Sequence, residues 1–94
     1  MSEVARVRIE GRVQGVWFRA WTVQEARRRK LTGWVRNRTD GTVEALFRGE
    51  AAAVDAMIEA CQDGPSASKV TAVRRLEVGD AEPASDSFHQ RPTA

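Results

Sequence analysis

The chain has few of the residues that build disulfide-linked or metal-bound folds. Among its 94 residues there are one cysteine, one histidine and no tyrosine. Cys61 has no partner for an intramolecular disulfide, and one cysteine with one histidine cannot form a Cys/His zinc site. No apolar run approaches the roughly 20 residues of a membrane-spanning helix, and residues 1–6 do not begin a signal peptide. We therefore expect no metal, no membrane association and a cytoplasmic protein.

Acidic residues are scarce in the first half of the chain. Residues 1–48 contain eleven Arg and Lys against five Asp and Glu, whereas residues 49–94 contain four against eight. Hydrophobic residues make up 41% of the chain and charged residues 30%, which is usual for one globular domain over residues 1–94 and too apolar for disorder. The basic half suits an anionic ligand, although a solvated basic face would give the same charge pattern.

Apolar residues recur at every second position in the predicted strands, and with the period of about 3.6 residues typical of a helix in the segment that ends near Cys61. Ala5, Val7 and Ile9 alternate with charged residues, which is typical of a half-buried strand. In the last long strand the apolar residues share one parity and predict a single core-facing side: Val70, Ala72, Leu76 and Val78. The predicted elements are a strand over 4–10, a helix over 19–30, strands over 32–38 and 42–48 joined by an Asp-Gly turn, a helix over 50–63, a strand over 70–78, a polar loop over 79–87 and a short edge strand over 88–91.

This β-α-β-β-α-β order predicts an α+β protein with the ferredoxin-like split β-α-β fold, an antiparallel sheet carrying two helices on one face. Its first two strands run parallel and are joined by a right-handed crossover. The loop after the first strand and the end of the second should therefore meet at one edge of the sheet.

The loop after the first strand is rich in features that bind anions. Gly11-Arg-Val-Gln-Gly-Val-Trp-Phe-Arg19 lies between a strand and a helix, where backbone N–H groups and the helix dipole can hold a phosphate. Arg19 would add a bidentate guanidinium to the same anion. A plain turn followed by a surface arginine remains an alternative. Asn37, just before the hairpin turn, is either a turn-capping amide or an amide that positions a water molecule.

Two segments together resemble the signatures of the acylphosphatases. They are Gly11 to Arg19 and Gly33-Trp-Val-Arg-Asn37 followed by Asp40-Gly41-Thr-Val-Glu44, and the resemblance covers about residues 4–78. It implies hydrolysis of the carboxyl–phosphate bond of an acyl phosphate without metal or cofactor, by a monomer that needs no nucleic acid. It further implies that Arg19 binds phosphate and Asn37 orients water. The implied phosphate cradle is the backbone of Gln14, Gly15, Val16, Trp17 and Phe18.

The chain departs from the family where the first helix ends. The family usually has an apolar residue and a glycine there, whereas this chain has Arg29 and Lys30. Lysine is a poor left-handed cap, so we expect this helix to end differently. Four other residues are expected to play lesser parts: Cys61 as a core residue, His89 as a solvated residue, and Asp40 and Glu44 as turn and strand residues.

Three alternative functions share the predicted fold. An RNA-binding module would display aromatic residues on its first and third strands, and neither strand has one on its expected open face. A relative of the acylphosphatase-like domain of hydrogenase-maturation proteins would use the same phosphate site with a different acyl group. A regulatory domain would bind phosphate without turnover.

Overall fold

A computed structural model describes residues 1–78 and 86–94 of the chain. The strands and helices are β1 Ser2–Arg12, α1 Phe18–Arg28, β2 Thr32–Asn37, β3 Val43–Glu50, α2 Ala51–Cys61, β4 Lys69–Leu76 and β5 Phe88–Gln90. The predicted element order is confirmed, including the short strand near the end. Most of the predicted polar loop over 79–87 lies outside the described residues. Within them, no helix is long and apolar enough to cross a membrane.

The sheet contains five strands in the order β4-β1-β3-β2-β5. Strands β1 to β4 pair antiparallel with one another, as predicted, whereas β5 pairs parallel with β2. The sheet is therefore mixed, because the chain leaves β4 at one edge and returns to the opposite edge in the direction of β2. Arg27 of α1 fixes β5 there, since its Nε and Nη2 donate to the Phe88 carbonyl at 3.1 and 3.0 Å.

The core lies between the sheet and both helices, which pack on the same face. The helices bury side chains spaced about one turn apart, and these meet alternate residues of the central strands: Phe18, Thr22 and Ala26 from α1, Val54, Met57, Ile58 and Cys61 from α2, and Ala5, Val7, Ile9, Val35, Val43, Ala45 and Phe47 from the sheet. Burial raises the pKa of the Cys61 thiol to about 12, so this cysteine is an inert core residue.

The predicted core face of β4 is confirmed at Val70 but wrong at Ala72 and Leu76. A bulge places Glu10 opposite Ala72 and Gly11 opposite Val70, so that Thr71 is an extra residue. Gly11 has a φ of 120°, and a Cβ there would overlap the Lys69 carbonyl oxygen. The extra residue reverses the parity of the strand. Val70 and Val73 therefore pack against the core, while Ala72 and Leu76 lie on the open face of the sheet.

Helix α1 ends in the left-handed cap that its sequence argues against. Lys30 has a φ of 60°, its N–H donates to Arg27 at 3.0 Å, and the N–H of Leu31 donates to Ala26 at 2.9 Å. These two bonds form a Schellman motif, in which glycine is usual. Leu31 is buried in the core beside Ala26, and this packing holds the lysine in an unfavourable conformation.

Candidate active site

The loop between β1 and α1 is held by apolar anchors and turned by two left-handed residues. Val13, Val16 and Phe18 are buried. Between them, Gly15 and Trp17 have φ values of 72° and 68°. Left-handed residues in a short turn gather backbone N–H groups into an anion-binding concavity. Trp17 is 81% exposed, so this conformation displays the indole at the surface.

The backbone N–H groups of this loop are free to bind a ligand. From Gln14 to Ala20, none donates to a protein acceptor in the part of the chain that the structure describes. Trp17 occupies the N-cap of α1 and supplies no side-chain cap, although Ser, Thr, Asp or Asn would normally do so. The first turn of an eleven-residue helix and the loop before it therefore offer donors together with the positive end of the helix dipole.

Arg19 lies in that first turn and has no counter-ion. Its side chain is half-buried, and no carboxylate or carbonyl within residues 1–78 and 86–94 accepts a hydrogen bond from it. Two arginines at the other end of the same helix are paired: Arg28 and Arg29, in its last turn and just beyond it, both contact Glu25 at 2.6 Å. In the described chain, the Arg19 side chain and the backbone N–H groups of the preceding loop thus both lack a protein partner.

Asn37 ends β2, opposite Val43 of β3. Its side-chain oxygen Oδ1 is buried, and no described group donates to it, which is rare for a buried polar atom. The turn is capped by Asp40 instead, whose Oδ1 accepts from the Thr42 N–H at 3.0 Å and from its hydroxyl at 2.6 Å. Those hydrogen bonds lower the pKa of Asp40. The amide of Asn37 therefore does not cap the turn.

Gln14 connects the loop to the hairpin between β2 and β3. Its Nε2 donates to the carbonyl oxygens of Arg38 at 2.8 Å and Thr42 at 2.9 Å. The sequence predicted only a backbone role for this residue. The two predicted motifs meet at this contact, which brings the segments that contain Arg19 and Asn37 to one edge of the sheet, as the topology predicted.

Glu44 is the second functional feature that sequence reasoning missed. It lies on the open face of β3, between the core residues Val43 and Ala45, and is nevertheless only 1% exposed. Its carboxylate contacts Arg36 at 2.8 Å, Arg38 at 2.9 Å and Arg6 at 3.4 Å. Burial alone would raise the pKa of Glu44, but the hydrogen bonds from Arg36 and Arg38 outweigh it and the pKa is lowered. Glu44 thereby fixes the arginine that follows Asn37.

The described residues do not assemble a metal site from side chains. Nowhere in residues 1–78 and 86–94 do three His, Cys, Asp or Glu side chains lie close enough together to hold an ion. His89 lies in β5, the edge strand predicted over 88–91, opposite Trp34.

The fold is that of a small α+β domain, and the candidate site lies at one edge of its sheet. A family model described as acylphosphatase matches residues 5–90. The acylphosphatase of Rhodospirillum rubrum is 54% identical over 87 residues, covering 93% of each chain. The acylphosphatase structure from Bacillus subtilis is 41% identical, with a TM-score of 0.86 over 97% of this chain and 99% of that one. The structure from Coxiella burnetii is 31% identical, with a TM-score of 0.87 over 96% and 93%. The chain belongs to the acylphosphatase family.

Proposed function

We propose that the protein hydrolyses the carboxyl–phosphate bond of acyl phosphates to a carboxylate and inorganic phosphate, without metal or cofactor. The observation that carries this proposal is that the Arg19 guanidinium and the backbone N–H groups from Gln14 to Ala20 all lack a protein partner in the described chain. Membership of the acylphosphatase family supports the choice of substrate. The reaction occurs in one cytoplasmic domain that spans residues 1–94.

The phosphoryl group of the substrate lies in the loop. The backbone N–H groups from Gln14 to Phe18 donate to its oxygens, and Arg19 adds a bidentate contact and a full positive charge. Both kinds of donor are fixed before substrate arrives, by the buried anchors of the loop and by the helix. They stabilise the charge on the transferring phosphoryl group at little cost in reorganisation.

Asn37 holds the attacking water. An amide cannot act as a base at neutral pH, but its Oδ1 accepts a hydrogen bond and its NH₂ donates two. The Oδ1 has no protein donor in the described chain, so a water molecule can donate to it and be held in line with the scissile bond. The substrate's own phosphate then receives the proton of the water.

The leaving group explains why the site needs no general acid. A carboxylate leaves with a conjugate-acid pKa of about 4, so its departure requires no protonation at neutral pH. The hairpin has two carboxyl groups with lowered pKa values: Asp40 in the turn, through its hydrogen bonds from Thr42, and Glu44 on β3, through its hydrogen bonds from Arg36 and Arg38. Positioning and charge stabilisation are then the catalytic contributions of the protein.

Two observations weigh against the RNA-binding alternative. The aromatic residue on the open face is Trp34 of β2, which is only 4% exposed. The guanidinium groups of Arg36 and Arg91 cover its ring at 4.9 and 4.5 Å. A base has no exposed ring to stack on here. The large hydrophobic residues exposed in the described chain are scattered, namely Met1, Trp17 and Val78, which supports a monomer.

The test is hydrolysis of benzoyl phosphate in the presence of EDTA. We expect wild-type turnover and a loss of at least about 10²–10³-fold in Arg19→Ala, since one preorganised donor is typically worth that much. Arg28→Ala is the matched control, because it removes the same charge from an exposed pair in the same helix. A wild type that binds phosphate without turnover would favour the regulatory alternative, and equal losses in both variants would refute the site.

Asn37→Ala separates water positioning from phosphate binding. We expect kcat to fall by at least about tenfold, while the inhibition constant for inorganic phosphate changes little. If phosphate binding weakens as much as kcat falls, Asn37 belongs to the phosphate cradle and the assigned role is wrong.

A further inference from the structure

Gln14 is placed where a side chain can set the distance between the two halves of the proposed site. It is the first residue of the proposed phosphate cradle, and both hydrogens of its NH₂ group are used on the hairpin. Both acceptors lie one position beyond the Asn37–Val43 pair, on the side of the turn: Arg38 follows Asn37, and Thr42 precedes Val43, the cross-strand partner of Asn37.

The hairpin does not need Gln14 in order to close. The Thr42 carbonyl already accepts from the Arg38 N–H at 2.9 Å, and the Arg38 carbonyl accepts from the Gly41 N–H at 3.1 Å. A carbonyl oxygen can accept two hydrogen bonds, so Gln14 occupies the second position on each. Its two bonds connect separate segments of chain rather than completing a turn.

We propose that the Gln14 side chain is a positioning residue, which holds the Asn37 end of the hairpin at a fixed distance from the phosphate cradle and so aligns water with the bound phosphoryl group. This inference rests on the proposed function. It assigns to the side chain a role separate from that of the Gln14 backbone. An error of about 1 Å in such an alignment can cost on the order of 10²-fold in rate.

A double-mutant cycle with Asn37 tests this role. Gln14→Met keeps the length of the side chain and removes both donors. We expect it to lower kcat for benzoyl phosphate by about 10–100-fold, with the phosphate inhibition constant changed by less than about threefold. In an Asn37→Ala background, where no water is held, the same substitution should lower kcat by less than about threefold. Gln24→Met, at an exposed position of α1, is the matched control.

Gln14→Glu adds a readout that a purely structural role would not produce. At neutral pH its carboxylate faces two carbonyl oxygens and donates nothing, whereas the protonated acid donates one hydrogen bond. We expect the ratio of variant to wild-type kcat to rise as the pH falls through the pKa of the introduced carboxyl group. Circular dichroism at each pH restricts the comparison to folded protein.

A spectroscopic measurement addresses the positioning without turnover. Asn37 is the only asparagine in the chain, so its side-chain amide signals can be assigned in an NMR spectrum of labelled protein. We expect inorganic phosphate to shift these signals in the wild type and to shift them less in Gln14→Met. An inactive wild type would refute the proposed function, whereas an active wild type with equal shifts, or equal Gln14→Met losses in both backgrounds, would refute the role of Gln14 alone.

Discussion

Replacing Glu44 by Gln should destabilise the protein strongly, because one buried carboxylate is the shared ion-pair partner of three arginines. Glu44 is 1% exposed and contacts Arg36, Arg38 and Arg6 at 2.8, 2.9 and 3.4 Å. Removing one partner of a buried ion pair typically costs about 3–5 kcal/mol. The arginine side chains are 25–35% exposed and can be partly solvated, so we expect the lower end, about 3 kcal/mol. A domain of this size has a total stability of only about 5–14 kcal/mol.

The loss of stability in Glu44→Gln should become smaller as the pH falls. The pKa of Glu44 is lowered in the folded state, so the folded protein binds fewer protons at this site than the unfolded chain does. The stabilisation is therefore fully present above the unfolded pKa of about 4.3. This stabilisation is lost as the pH falls through the lower pKa that Glu44 has in the folded protein. The difference between wild type and Glu44→Gln should accordingly shrink towards zero in acid.

Urea unfolding from pH 7 to pH 3, followed by circular dichroism, measures this difference. Glu50→Gln is the control, because Glu50 lies at the end of the same strand with its side chain 77% exposed and should change stability little. A Glu44→Gln difference below about 1 kcal/mol at pH 7 would show that the arginines do not need the carboxylate. A difference that stays constant into acid would refute the assignment of its charge as the cause.

Two further changes test the fold. Lys30→Gly should raise the free energy of unfolding by about 0.5–1 kcal/mol, because glycine adopts the left-handed conformation of the α1 cap without strain. Lys30→Ala keeps a Cβ and should give no such gain. Equal effects of the two substitutions in urea unfolding would show that the strain argument is wrong. Cys61 should react with a thiol reagent at least about 10³-fold more slowly in the native protein than in urea, because burial raises its pKa to about 12; rapid native labelling would contradict its place in the core.

The order of elements was predictable because it depends on local periodicity. The alternation of Ala5, Val7 and Ile9 and the helical stripe ending at Cys61 each record one buried face. The core side of β4 was not predictable in this way, because one extra residue, Thr71, changes which side chains face inward. That bulge depends on Gly11, which is about sixty residues away in the chain, and no local pattern contains both.

The site was predictable to the extent that it depends on backbone and topology. Glycine spacing and a strand–loop–helix order identified the loop, and the parallel direction of β1 and β2 brought Asn37 to the same edge. The contacts of Gln14 and Glu44 were missed, because their partners are carbonyl groups and arginines whose approach depends on tertiary packing. Lys30 was misjudged for the same reason, since the burial of Leu31 overrides its local preference.

The bulge in β4 also affects how copies of the molecule meet. β4 and β5 are the outer strands of the sheet, and exposed outer strands can recruit strands from other molecules and start aggregates. The extra residue Thr71 interrupts the regular ladder of β4, while Lys69, Arg74 and Arg75 charge its exposed positions. At the other edge, β5 is only three residues long. Sheet growth from copy to copy is therefore disfavoured at both ends.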